Sequence, residues 1–385
     1  MHIPKDVQKI LQTLSDARHQ AVVVGGCVRD SLMGIIPKDW DIATSARPEE
    51  VKQIFKHTVD TGIEHGTVTV LINRHPYEVT SFRIDGKYVD GRRPTEVTFT
   101  TDLEEDLSRR DFTMNAIAYS PSAGLVDPFY GHEDIKKKNI RCVGHASSRF
   151  TEDALRMMRA VRFAAQLSFT IDPDTYAAIL PLAERLKMVS MERIREELTK
   201  ILASQNPGAL PLLEETKLWL LPKTDLKRAV PWLTQCPKEP AMLYALLYAD
   251  ENFMRQLKFD NQTIKETDTY TRWLLKSIKN KSYNIKVALN EMGPELFYNL
   301  LTLKNIISPN DHWEEVKKSC DKILLAKECY TIKDLAVSGR DLISAGVNPG
   351  EGMGKILAAL LDNVMKEPEL NSKETLLTII KSKTF

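Results

Sequence analysis

The chain has 385 residues, 43% of them hydrophobic, and a formal net charge of +1. That is apolar material for more than one core, and too little charge for a molecule-wide basic field, so any nucleic-acid contact must rest on local patches. Five scattered cysteines (Cys27, Cys142, Cys236, Cys320 and Cys329) are never spaced C-x-x-C, and no run of 18 apolar residues occurs. A disulfide framework, a zinc site, export and a membrane span are therefore not expected, and a reducing cytoplasmic setting is.

The opening "MHIPKDVQKILQTL" predicts an amphipathic helix from about Pro4 to Ala17. Short β-branched runs follow: "AVVVGG", "GTVTVLI", "YEVTSFRI", "TEVTFT" and "AIAYS". Helices are expected after Gly26 ("VRDSLMG") and from "RPEEVKQIF", so residues up to about 144 should form an α+β unit with a mixed sheet. From Thr151 the period changes to three and four residues, as in "EDALRMMRAVRFAAQL", "MERIREELTKILAS" and "GKILAALLDNVMKEP", which predicts an all-helical remainder. Breakers such as "QNPGALP" and "VNPGEG" mark helix ends.

The stretch "KDWDIATSA" places Asp39 and Asp41 two residues apart, which on a strand puts both carboxylates on one face, with Trp40 and Ile42 turned to the core. Two such acids repel unless water or a divalent cation such as Mg²⁺ neutralises them. Upstream, "AVVVGGCVRD" reads as a strand running into a glycine turn and a helix, where backbone N–H groups approach a polyphosphate closely and Arg29 adds a fixed positive charge. Together they point to a metal-bound triphosphate.

These residues carry a resemblance. "VVVGGCVRDSLMG" followed by "KDWDIATSA" resembles the signature of the nucleotidyltransferase superfamily of DNA polymerase β, in the branch of class II tRNA nucleotidyltransferases and bacterial poly(A) polymerases. "EEDLSRRDFTMNAIAYS", "LVDPFYGHEDI", "TEDALRMMRAVRF" and "MERIREELTKILAS" match further motifs in order, and "LAVSGRDLISAGVNPGEGMGKIL" resembles the tail of Bacillus-type members. The resemblance implies a polymerase-β-like head (1–144), a neck that recognises the nucleotide base (145–205), a helical body (206–305) and a tRNA-binding helical tail (306–385). It implies that Asp39 and Asp41 are the catalytic, Mg²⁺-holding acids, and that Gly26, Arg29 and Arg110 bind nucleotide. Glu78 in "YEVTSF" is a candidate third carboxylate on a neighbouring strand.

In "TEDALRMMRAVRF", Thr151 is expected to cap a helix on which Leu155, Met158, Val161 and Ala165 gather on one side and Asp153, Arg156 and Arg159 form a stripe beside it. An ordinary Asp153–Arg156 ion pair would account for that spacing. The resemblance implies instead that Asp153 and Arg156 read the base, with Arg159 and Arg162 completing the site. An acceptor-only carboxylate beside a donor-only guanidinium complements the N4/N3 edge of cytosine and the N6/N1 edge of adenine, and opposes uracil and guanine. The expected substrates are thus CTP and ATP, with tRNA as acceptor through its 3′ end and its acceptor and T arms. The segment from Phe82 to Pro94, "FRIDGKYVDGRRP", should be a mobile loop and resembles the one used for switching from C to A addition. "IKKKNIR" and the Gly-rich tail turn are local candidates for RNA phosphate. Only His312 lies beyond His145, so no phosphohydrolase domain is expected. A poly(A) polymerase or a specialist that adds only A or only CC shares these motifs, and a non-catalytic RNA-binding scaffold stays open as a different class.

Overall fold

The computed structural model describes residues 1–86, 97–220, 225–309 and 312–382. The chain divides into two compact units, Met1–Val230 and Pro231–Phe385. In the first, α1 (Lys5–Asp16) buries Val7, Ile10, Leu11 and Leu14 at helical spacing. There follow β1 (Ala21–Val24), α2 (Gly26–Leu32), β2 (Ile42–Thr44), α3 (Pro48–Ile54), β3 (Thr58–Gly62), β4 (Thr67–Ile72), β5 (His75–Ser81), β6 (Arg83–Asp85) and β7 (Val97–Phe99). Then come α4 (Leu103–Ser108), β8 (Ala118–Ser120), β9 (Gly124–Val126), α5 (Gly131–Lys137) and β10 (Asn139–Ile140).

Among the described residues the main sheet has seven strands in the order β3-β4-β5-β2-β1-β8-β9. Its β2–β5 pair is parallel, with Ile42 opposite Val79, and the other pairs are antiparallel, so the expected mixed sheet forms. On one face Val22, Val24 and Ala43 pack with Leu103, Leu107, Ala116 and Val143. The edge strands β3 and β9 carried no apolar alternation: β3 is mostly exposed, and its pairing with β4 rests on backbone bonds that sequence patterning does not register. The predicted loop begins instead as a strand, since β6 pairs antiparallel with β7; the rest of that expectation, 87–94, lies outside the described residues.

The first unit continues with α6 (Ala146–Glu152), α7 (Leu155–Leu167), β11 (Thr170–Ile171), α8 (Pro173–Ala177), α9 (Ile179–Leu182), α10 (Met191–Leu202) and α11 (Leu212–Glu215). The two-residue β11 lies parallel to β10, a small departure from the all-helical expectation. A larger one concerns "TEDALRMMRAVRF". Thr151 is no N-cap: its hydroxyl donates to the Ser147 carbonyl within α6. The chain breaks helix at Asp153 (φ −140°, ψ 104°), and the Asp153 carboxylate accepts from the Leu155 backbone N–H at 3.1 Å where α7 begins. A capping carboxylate there satisfies one of the orphan N–H groups that every helix start exposes.

After α12 (Leu226–Gln235), which spans the division, the second unit holds α13 (Pro240–Ala245), α14 (Glu251–Gln256), α15 (Asn261–Leu274), α16 (Ser282–Ile307), α17 (Trp313–Leu325), α18 (Gly339–Ser344), α19 (Glu351–Lys366) and α20 (Lys373–Ser382). Helix α16 is kinked at Gly293 (φ 77°), with Pro294 next, a left-handed glycine beside a residue that lacks an N–H. Leu342, Leu360, Leu361, Val364, Leu376 and Ile380 form a core under α18 to α20.

Candidate active site

Where β1 ends, Gly25 adopts φ +80°, and a Cβ there would lie 3.3 Å from the Arg110 guanidinium. Glycine thus permits both the turn into α2 and the close approach of an arginine. Arg29, one turn into α2, donates to Asp30 at 2.7 Å and to the Asn115 side chain at 2.7 Å. Asn115 in turn donates to Asp111 at 3.1 Å, and Arg159 of α7 donates to the other Asp111 oxygen at 2.7 Å. This chain of bonds ties the glycine turn and α2 to α7. Burial would raise the Asp111 carboxyl, but Arg159, Asn115 and Arg156 outweigh it and hold it well below the usual carboxylate range.

The pair Arg109 and Arg110 follows α4. Both engage Asp106, at 2.7 and 3.0 Å. Asp106 is buried, which disfavours its charge, yet the two guanidiniums hold its carboxyl below the ordinary value. Two further arginines grip the end of α4: Arg149 donates to the Ser108 carbonyl at 2.9 Å and Arg156 to the Arg109 carbonyl at 2.9 Å. Cations are favoured at a helix C-terminus, where carbonyls lack intrahelical partners.

Asp153 and Arg156 are not paired with each other in the manner their spacing suggested. Arg156, buried, pairs with Glu152 at 2.7 Å. Asp153 instead receives both Nη atoms of Arg193, from α10, at 3.2 and 2.7 Å. On the same face of α10, Glu197 lies 2.7 Å from the Arg162 Nε and 3.9 Å from Arg159. Burial pulls the Arg162 guanidinium down to about 10, with Glu197 opposing, so it stays charged at neutral pH. The buried Phe163 ring sits among three guanidiniums, with Arg162, Arg29 and Arg159 at 4.1, 5.1 and 5.5 Å from its centroid, and meets Phe112 edge-on. Cations gather on the negative face of an aromatic ring, which offsets part of their mutual repulsion.

One cavity of about 480 Å³ collects these groups. Gly25, Gly26, Arg29, Asp41, Arg110, Asp153, Arg156, Arg159 and Arg162 line it, together with Arg109, Asp111, Asn115, Phe163 and Arg193. Of the residues expected from sequence, Asp39 and the candidate third carboxylate Glu78, which is exposed on β5, lie outside this lining. The two acids do not lie within a strand: β2 begins at Ile42, Trp40 is half-buried, and the Asp41 carbonyl accepts from Val24 N–H at 3.0 Å, continuing the β1–β2 ladder by one bond. Desolvation by the cavity wall raises the Asp41 carboxyl, Arg110 opposes, and the negative charge of Asp39 raises it further. Two neighbouring carboxylates with only oxygen donors suit a hard divalent cation. Among the described residues no group of three His, Cys, Asp or Glu side chains is placed to hold a metal ion, so with Asp39 and Asp41 as ligands the remaining positions would fall to nucleotide oxygens and water.

Sequence reading missed Asp111, Asn115, Phe163, Arg193 and Glu197. The first two lie inside "SRRDFTMNA" and Phe163 inside "MMRAVRF", where the neighbouring arginines carry the chemical signal. Arg193 and Glu197 are four apart in a helix with an ordinary charged stripe, and only burial separates Glu197 from a solvated glutamate.

The model of the poly A polymerase head domain matches residues 21–141, that of the RNA- and SrmB-binding site of polymerase A matches 168–225, and that of tRNA nucleotidyltransferase domain 2 matches 241–380. The CCA-adding enzyme of Levilactobacillus brevis is 39% identical, over 98% of both chains. That of Geobacillus sp. (strain WCH70) is 40% identical, over 95% of this chain and 93% of the relative. The crystal structure of the Bacillus stearothermophilus CCA-adding enzyme in complex with CTP superposes with a TM-score of 0.84 at 35% identity, covering 99% of this chain and 98% of that one. With a nucleotidyltransferase head and likeness along nearly its whole length, the chain belongs to the family of CCA-adding enzymes, the tRNA nucleotidyltransferases.

Proposed function

We propose that this enzyme adds C, C and A to the 3′ end of tRNA without a nucleic-acid template, taking CTP and ATP and releasing pyrophosphate. The observation that carries the reading is the single cavity wall on which Asp153 and Arg156 stand beside Arg29, Arg110 and Asp41. Arg29 and Arg110 hold the triphosphate, since a guanidinium forks onto two phosphate oxygens at once. Gly26 keeps the backbone close to it, and Arg159 and Arg162 complete the pocket over Phe163.

Asp153 can only accept and Arg156 can only donate. Cytosine and adenine both present an amino donor beside a ring acceptor, so each satisfies the pair after a small tilt. Uracil and guanine would set an oxygen against the carboxylate and a ring N–H against the guanidinium, at about 1 to 3 kcal/mol for each buried mismatch. The protein thus takes the place of a template strand.

Enzymes of the nucleotidyltransferase families use a divalent metal. We assign Mg²⁺ to Asp39 and Asp41, where it would supply Lewis acidity to the attacking 3′-hydroxyl and the leaving pyrophosphate. The acceptor is tRNA lacking part or all of its 3′ end. Residues 145–205 act as the base-reading neck behind a head of 1–144, and the helices of the body (206–305) and tail (306–385) bind the acceptor and T arms. Among the described residues no helix is long and apolar enough to cross a membrane, and the five cysteines are buried free thiols, in keeping with a reducing cytoplasm.

Asp39→Ala and Asp41→Ala, made singly, are expected to lower CMP incorporation at least 1000-fold while leaving tRNA retention in a gel-shift assay within about threefold. Incorporation at near wild-type rates in either variant would remove the assignment. A wild-type protein that retains tRNA and incorporates nothing would support the scaffold reading instead.

A further inference from the structure

We propose that Arg193 is a positioning residue for base choice: its planar fork fixes the plane of the Asp153 carboxylate and so decides which nucleobase that carboxylate accepts. The inference rests on the reading that Asp153 senses the base edge. Asp153 sits at the break between α6 and α7, outside regular helix, where packing alone does not set the rotamer of a short side chain. Three bonds hold it: the Leu155 N–H at 3.1 Å and Arg193 Nη1 at 3.2 Å on Oδ1, and Arg193 Nη2 at 2.7 Å on Oδ2.

A carboxylate has about four acceptor positions in its own plane. Three are spoken for, and the fourth, on Oδ2, has its direction fixed once the plane is fixed. Both Asp153 and Arg193 line the cavity, so the held carboxylate borders the space a base would fill. Arg193 reaches across from α10, 40 residues along the chain, and a two-pronged contact resists rotation about χ2 where a single contact does not. With the fork lost, the carboxylate turns, the amino group of cytosine or adenine loses its in-line acceptor, and the oxygen of uracil is no longer opposed.

The test is the ratio of kcat/KM for CTP over UTP on tRNA ending at the discriminator base, measured for wild type, Arg193→Lys, Arg193→Gln and Asp153→Ala, with a melting curve for each. Lysine keeps the charge and loses the fork. Arg193→Lys is expected to melt within a few degrees of wild type and still lose about tenfold or more in the CTP/UTP ratio, through a raised KM for CTP and a lowered one for UTP; Arg193→Gln should lose at least as much. Should the glutamine variant fail to fold, the lysine variant decides. If Asp153→Ala relaxes the ratio while Arg193→Lys leaves it at the wild-type value, Arg193 has no positioning role and the base-reading assignment stands. If neither moves it, both fall.

Discussion

Asp111 takes its charge from what surrounds it. It is buried, yet Arg159, Asn115 and its own neighbour Phe112 N–H all donate to it. Its folded-state carboxyl lies below the unfolded value, so the stabilisation it contributes is present above the ordinary aspartate range near pH 4 and is lost as pH falls through that range towards the folded value; Asp106 adds in the same direction. Denaturant midpoints should therefore fall from pH 5 to pH 3. Asp111→Asn should cost about 2 kcal/mol at pH 7 and flatten that fall; an unchanged slope would show that Asp111 does not supply it. Gly131 is a second residue-scale test. A Cβ there would stand 2.1 Å from the Thr113 carbonyl oxygen, because α5 lies directly against the turn that carries Asn115. Gly131→Ala should destabilise by about 1 to 3 kcal/mol and lower activity through displacement of Asn115, which a melting curve and a CMP-incorporation assay would measure.

Among elements, α7 and α10 act as a pair. The row Asp153, Arg156, Arg159, Arg162 supplies the cavity wall, and Arg193 and Glu197 hold the two ends of that row from one face of α10. Glu197→Gln would leave the partly buried Arg162 without its 2.7 Å counter-charge. The expected result is a loss of about 3 kcal/mol in stability and a common change in KM for CTP and ATP, with the CTP/UTP ratio untouched; a changed ratio would mean that Glu197, too, shapes base choice.

The identity of the row was legible because its residues sit at helical spacing in a recognisable motif. Its geometry was not. "TEDALR" holds no Gly or Pro to announce a break, and Asp153 leaves the helix because its carboxylate serves better as a cap than as a mid-helix side chain. The partners on α10 were invisible for another reason: an arginine and a glutamate at i and i+4 look the same on a solvated stripe as on a buried one. Likewise the pair in "KDWDIA" was legible as chemistry, but its place just before β2 depends on where the sheet ladder ends.

At the scale of the whole molecule, sequence patterning located the change from a mixed sheet to helices and missed what lies at the edges, the exposed β3 and the short β10–β11 pair. Strand signals come from apolar alternation, which edge strands need not have. If side chains of the protein, rather than a nucleic-acid strand, choose each base, purified enzyme alone must discriminate among the four nucleotides. The most direct measurement is single-turnover addition of CTP, ATP, UTP and GTP, each alone, to tRNA ending at the discriminator base and to tRNA ending in CC. The expected products are CMP on the first acceptor, one AMP on the second, and at most traces of UMP or GMP on either. UMP and GMP joined at rates comparable to CMP and AMP, or a long A tract grown on the first acceptor from ATP alone, would contradict this reading.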